Sequence, residues 1–84
     1  VEEGVSENEH RELDAISRIS SLTPSQLRVF VSLSRGYMNK QIAADMDISE
    51  ATVKAHVTSV YRKLGVRSRT QAVMVSKALD LTAD

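Results

Sequence analysis

One segment, DISEATVKAHVTSVYRKLG at residues 47–65, constrains the fold more than any other part of the chain. Its apolar residues recur at alternating intervals of four and three, the spacing of one narrow helical stripe. They are Val53, Val57, Val60 and Leu64. Ser49 suits the N-cap of this helix, and Gly65 suits the left-handed position that ends one. The segment therefore predicts a helix over residues 50–64 whose outer surface is small, polar and cationic.

The strongest start signal elsewhere is LTPSQL at residues 22–27. Thr23 suits an N-cap, Pro24 the first helical position and Gln26 the third, which together make a capping box. This predicted helix runs for about three turns and ends at Gly36, again a residue that tolerates the left-handed conformation. Its expected core contacts are Val29, Phe30 and Leu33.

Two shorter segments carry their own start signals. Asn39 is expected to cap a short helix over residues 40–46, and Ser68 a last helix over residues 69–79. A connection of about three residues joins the short helix to the helix over residues 50–64, which is the pattern of a helix-turn-helix unit. The same pattern occurs in αα-hairpins of ordinary helical bundles, so by itself it leaves the function open.

Residues 6–20 predict an additional N-terminal helix, with Ser6 as its N-cap and Glu9 in the capping-box position. Its apolar stripe is thin and consists of Leu13, Ile16 and Ile19. Leu27 and Val31 are four residues apart on the next helix, and this apolar pair is expected to receive the stripe. The alternatives are an exposed pair of the kind that surfaces tolerate and a contact with a domain outside this chain.

The fold class that follows is all-α: a small four-helix helix-turn-helix domain at residues 22–84, with an additional N-terminal helix and linker at residues 1–21. The chain has 84 residues, which suits one small core. It has no cysteine, so a disulfide framework and a thiolate metal site are both excluded. No apolar run approaches the roughly 18 residues of a membrane span, and no signal-peptide pattern opens the chain. These features suit a cytoplasmic protein.

Charge is unevenly distributed, although the formal net charge is zero. Residues 1–14 contain six acids and one base, whereas residues 49–70 contain five bases and one acid. A basic region of this kind suits a polyanionic partner, and an ordinary solvated face has the same composition. No phosphate-cradling glycine loop, metal cluster or nucleophile–base pair is visible. The chain is therefore expected not to be an enzyme, and to need no cofactor and no metal.

Several motifs occur in order between residues 22 and 79: LTP, GxxNKxIA, ISxxTVKxH, KLGVxSR and a closing QA. In this order and spacing they resemble the DNA-binding domain of the LuxR/FixJ (NarL-type) transcription regulators. The resemblance implies that the third helix of the domain, here residues 50–64, enters the DNA major groove. It also implies that the fourth helix, here residues 69–79, pairs with a second protomer on DNA.

The resemblance and the position of each residue on its helix together give expected roles to individual residues of this chain. The base-facing residues are Lys54, Ala55 and Thr58, where many family members carry a longer side chain in place of Thr58. The residues expected to contact phosphate are Lys40, Thr52, His56, Lys63, Arg67 and Arg69. The residues expected in the dimer interface are Val73, Met74, Lys77 and Leu81.

The predicted function is that of a sequence-specific transcription regulator domain that binds double-stranded DNA as a homodimer on an inverted repeat, with RNA polymerase as a further candidate partner. The resemblance favours the effector domain of a two-component response regulator. One alternative is the effector domain of a quorum-sensing-type receptor. The other is a helical protein-interaction module that docks on RNA polymerase or on a sensory domain without DNA.

Overall fold

The computed structural model describes residues 7–79, and within this range the chain forms five α-helices and no strand. The helices are α1 (Glu7–Ser20), α2 (Pro24–Ser34), α3 (Asn39–Met46), α4 (Glu50–Leu64) and α5 (Arg69–Ala78). The all-α prediction is thereby confirmed. The predicted N-cap Ser6 lies outside the described residues.

Polar side chains start the helices largely as the sequence predicts. Thr23 and Gln26 form a complete capping box at α2, with Oγ1 accepting from the Gln26 amide at 3.2 Å and Oε1 accepting from the Thr23 amide at 3.1 Å. At α3 the prediction is wrong by one residue, because Asn39 is already helical and Met38 occupies the N-cap. The Met38 amide donates to Oε1 of Gln41 at 2.8 Å, so the helix itself supplies the acceptor.

Both helices of the helix-turn-helix unit are followed by a residue in the left-handed backbone conformation. Asp47 (φ 57°) follows α3, and Gly65 (φ 71°) follows α4. In each case the next amide turns back onto the helix: Ile48 donates to the Ala43 carbonyl, and Val66 donates to the Tyr61 carbonyl, both at 3.0 Å. This is the Schellman arrangement. It directs Ile48 and Val66 inward, where both pack against buried residues.

Two clusters of buried side chains form the core. The first core cluster joins α2, α3 and α4 and consists of Val29, Leu33, Ile42, Ala43, Val53 and Val57. The second core cluster joins α2, α4 and α5 and consists of Phe30, Val60, Leu64 and Ala72. Helix α2 packs against both α4 and α5, and α3 packs against α4. The predicted stripe of α4 is thus buried, which leaves its opposite face toward solvent.

The N-terminal helix α1 packs against α4, which corrects the predicted docking on Leu27 and Val31. Of the three residues of the α1 stripe, only Ile19 reaches the core, at the second core cluster. Leu13 and Ile16 remain 59% and 51% exposed. Leu27 shares a shallow groove with Ile16 and Ile19, but Val31 lies outside this groove. The apolar pair on α2 therefore does not cover the α1 stripe.

The hydroxyl of Ser76 is the one buried side-chain polar atom without a hydrogen-bond partner among the described residues. Burying such a group costs about 1–3 kcal/mol, so we expect Ser76→Ala to stabilise the chain and raise Tm by several degrees. Thermal unfolding followed by circular dichroism measures this. Ser34→Ala is the matched control, because the Ser34 hydroxyl is satisfied by the Phe30 carbonyl at 2.9 Å. A Tm for Ser76→Ala at or below wild type would contradict the expectation.

Candidate nucleic-acid interface

Because the apolar stripe of α4 is buried, the opposite face of the helix is directed outward. Residues advance about 100° around a helix, so Ala55 lies opposite the buried valines. Lys54 and Thr58 flank it on one side, and all three side chains are exposed. The three residues predicted to face DNA bases are therefore brought together on one exposed helix face, with a methyl group at its centre.

Backbone bonding limits the chemistry of Thr58. Its Oγ1 donates to the Lys54 carbonyl at 3.0 Å, which uses the one proton of the hydroxyl. The oxygen can still accept a hydrogen bond, and the methyl group can make apolar contact. For Lys54, the described residues provide no hydrogen bond or ion pair to the ammonium, so its three donors face solvent.

Thr52 belongs to the N-terminal cap of α4. The Thr52 amide donates to Oγ of Ser49 at 3.0 Å, and the two hydroxyl oxygens are 2.9 Å apart. The first backbone bond of the helix runs from Val53 to the Ser49 carbonyl. The amides before Val53 thus lie at the positive end of the helix, which attracts anions.

Three of the residues predicted to contact phosphate lie within three residues along the chain of one contact between α5 and the loop before α3. The guanidinium of Arg69 donates to the carbonyl of Tyr37, which ties the first turn of α5 to the loop before α3. Lys40 is exposed in the first turn of α3, three residues beyond Tyr37. Arg67 is exposed in the preceding loop, where its amide donates to Oε1 of Gln71 at 2.7 Å.

Lys63 lies on a different side of α4 from Lys54. Nine residues separate them, which corresponds to about half a turn around the helix axis. The Lys63 ammonium donates to the Ser21 carbonyl at 3.0 Å and to Oε1 of Gln26 at 2.8 Å. It therefore ties α4 to the connection between α1 and α2. His56 is half-buried on the same flank.

Arg62 is a candidate that the sequence reasoning left without a role. It is exposed and follows Ala55 by seven residues, so the two side chains share the outward face two turns apart. The sequence signal that identifies Arg62 is the interval of seven residues from Ala55, which lies opposite the buried stripe of α4.

The predicted dimer surface lies on the outer side of α5. Met74 is 63% exposed, Lys77 is exposed and Val73 is half-buried. Leu81 lies outside the described residues. Among the side chains of residues 13–79 there is no cluster that could hold a metal ion. No helix in the described part of the chain is both long and apolar enough to cross a membrane.

Comparison with known proteins assigns this arrangement to a family. The model of the family described as bacterial regulatory proteins, luxR family, matches residues 20–76. A glycerol metabolism activator of Pseudomonas putida is 46% identical over 65 residues, which are 77% of this chain and 29% of that protein.

Two solved structures are similar to the fold. The response regulator StyR has a TM-score of 0.72 and 40% identity, with 75% of this chain and 32% of that chain covered. Full-length FixJ from B. japonicum has a TM-score of 0.80 and 28% identity, with 88% of this chain and 36% of that chain covered. The chain thus spans roughly a third of the length of each of these relatives.

Proposed function

Because the chain belongs to the luxR family of bacterial regulatory proteins, we propose that it reads a specific double-stranded DNA sequence with α4. The family's helix-turn-helix domain is a DNA-binding domain of transcription regulators and not an enzyme. The observation that carries the proposal is the outward face of α4, small at Ala55 and cationic at Lys54. We assign DNA binding to residues 22–84, preceded by the linker and helix at residues 1–21.

Base readout is assigned to three residues. The major groove admits an α-helix and exposes a distinct donor and acceptor pattern for each base pair. Ala55 can approach a thymine methyl group without blocking insertion, and Lys54 can donate to guanine O6 and N7. Thr58, whose proton is used internally, is restricted to accepting from a base amino group or to apolar contact.

Phosphate contacts orient the domain without specifying the sequence. Lys40, Arg67 and Arg69 suit one DNA strand because the contact of Arg69 with Tyr37 brings the segments that carry them together, and Arg69 would have to share its guanidinium with the Tyr37 carbonyl. Thr52 suits a phosphate at the positive end of α4. His56 and Lys63 are the remaining candidates, on the flank of α4 opposite Lys54, and Lys63 would have to share its ammonium with its internal partners.

A homodimer on an inverted repeat completes the proposal. Exposed Met74 and Lys77 and half-buried Val73 provide a small surface on α5, and a two-fold dimer presents the same patch from each protomer. Two α4 helices about one turn of DNA apart would then read two half-sites. The likeness to StyR, described as a response regulator, supports a response-regulator effector domain. Such a protein would act in the cytoplasm, with RNA polymerase as a further candidate partner.

The direct experiment is selection of bound sequences from a random DNA pool by the 84-residue chain. We expect recovery of one motif with two inverted half-sites about one helical turn apart. Binding to it should weaken linearly in log–log coordinates as salt is added. Recovery of no motif, or an affinity indifferent to salt, would contradict the proposal and favour a protein-docking module.

Two substitutions separate base readout from phosphate contact. Lys54→Ala should weaken the selected site by about 1–3 kcal/mol and random DNA much less. Lys40→Ala should weaken both about equally and lower the salt slope by roughly one. Lys40 is the better phosphate probe because Lys63 also holds Ser21 and Gln26. Fluorescence anisotropy over a salt series measures the affinity of each variant for the selected site and for random DNA. Equal behaviour of the two variants would contradict the assignment.

A further inference from the structure

The backbone amides that follow α4 donate to two of its last four carbonyls and leave those of Lys63 and Leu64 to other donors. Gly65 donates to the Arg62 carbonyl at 3.2 Å, and Val66 donates to the Tyr61 carbonyl at 3.0 Å. The last helical residue, Leu64, receives its hydrogen bond from α1: Nη1 of Arg18 donates to its carbonyl at 2.9 Å. A side chain 46 positions away along the sequence therefore donates to the last carbonyl of the helix.

A second bond joins the same two helix ends in the reverse direction. The ammonium of Lys63, on α4, donates to the carbonyl of Ser21, directly after α1, at 3.0 Å. Each helix thus supplies a cation to a carbonyl at the C-terminal end of the other, where the helix dipole is negative. Between the two bonds, Ile19 packs into the second core cluster, which contains Leu64.

The guanidinium of Arg18 is oriented from within its own helix. Nε lies 3.1 Å from Oδ2 of Asp14, one turn earlier, which leaves Nη1 directed at Leu64. A Cβ atom on Gly65 would overlap Nη1 of Arg18, so the glycine provides the space for the guanidinium. Arg18 is not buried, with its side chain 46% exposed, so we expect its removal to change Tm little.

We propose that Arg18 is a positioning residue for DNA reading, because it fixes the C-terminal turn of α4 from α1. The inference rests on the proposed function of α4. Since Arg18 and Lys63 join the same two helix ends, the direction of α1 and the orientation of the DNA-reading helix are coupled. A change that reorients α1 would in this way be transmitted to the outward face that carries Lys54 and Arg62.

The test compares Arg18→Ala with Arg28→Ala in the full 84-residue chain. Arg28→Ala is the matched control, because it removes the same charge and also an interhelix contact. The lost contact is the 3.3 Å bridge of Arg28 to Asp45, which joins α2 to α3 and not α1 to α4. We expect Arg18→Ala to weaken binding to the selected DNA about fivefold, with an unchanged salt slope because no phosphate contact is lost. Arg18→Lys, which keeps a donor, should recover part of the affinity.

Amide hydrogen exchange on the free protein provides a readout that needs no DNA. In Arg18→Ala, the amides at residues 63–66 should exchange about fivefold faster, whereas Arg28→Ala should leave them unchanged. Unchanged exchange in Arg18→Ala would overturn the positioning role. So would faster exchange with unchanged affinity, since the contact would then be structural only. If the wild-type chain binds no DNA, the proposed function fails and the role in DNA reading fails with it, and the exchange rates alone then report on the helix contact.

Discussion

An Ala55→Glu variant is expected to fold like the wild-type chain and to lose DNA affinity by about 100-fold or more. Ala55 is exposed on α4, and glutamate is a good helix former, so the free energy of unfolding should hardly change. In the complex, however, the new carboxylate would lie at the centre of the face that enters the groove, between two phosphate backbones. A misplaced like charge costs several kcal/mol, and each 1.4 kcal/mol is tenfold in affinity.

Ala55→Gln is the matched control for this substitution, because glutamine has the size of glutamate without its charge. We expect Ala55→Gln to weaken the selected site through the loss of close approach, while random DNA still binds. Ala55→Glu should weaken both kinds of DNA. Anisotropy titrations at one salt concentration and thermal unfolding of all three proteins make the comparison. Wild-type affinity in Ala55→Glu would show that this face does not meet DNA.

Phe30→Ala is expected to leave the domain barely folded. Phe30 is fully buried on α2, in the second core cluster with Val60, Leu64 and Ala72. Truncating a buried phenylalanine costs about 3–5 kcal/mol, and a small domain has only about 5–15 kcal/mol in total. For a domain of this size the loss corresponds to a Tm lower by about 15 °C or more.

Leu13→Ala is the control for this core substitution. It also shortens an apolar side chain on a helix, but Leu13 is 59% exposed on α1. Surface truncations usually change stability by about 0.5 kcal/mol or less. Urea unfolding followed by circular dichroism at 222 nm measures both variants. Equal losses would mean that the second core cluster does not hold the domain together.

The helices were predictable because their signals are local. Thr23, Pro24 and Gln26 start α2, and Ser49 and Gly65 bound α4, through groups within one turn of the helix end. The error at Asn39 has the same origin. A single-residue cap preference pointed to Asn39, whereas the Gln41 side chain, two residues further on, satisfies the amide of Met38 instead.

The outward face of α4 was predictable for a related reason. A single apolar stripe determines which side of a helix is buried, so the exposure of Lys54, Ala55 and Thr58 follows from periodicity. Arg62 was missed because its charge alone does not distinguish a solvated arginine from one on the outward face. Once the stripe is known to be buried, the direction of the outward face is known, and Arg62 can be placed on it.

The amino-acid sequence by itself determined the five helices, most of their ends and which face of α4 is left to solvent. Helix caps and stripe periodicity act over a few residues, and both can be counted along the chain. Only the tertiary structure decided that α1 packs on α4 rather than over Leu27 and Val31, and that Arg18 and Lys63 join two helix ends. Such contacts connect residues more than forty positions apart, where long side chains can reach several partners and packing of the whole domain selects one.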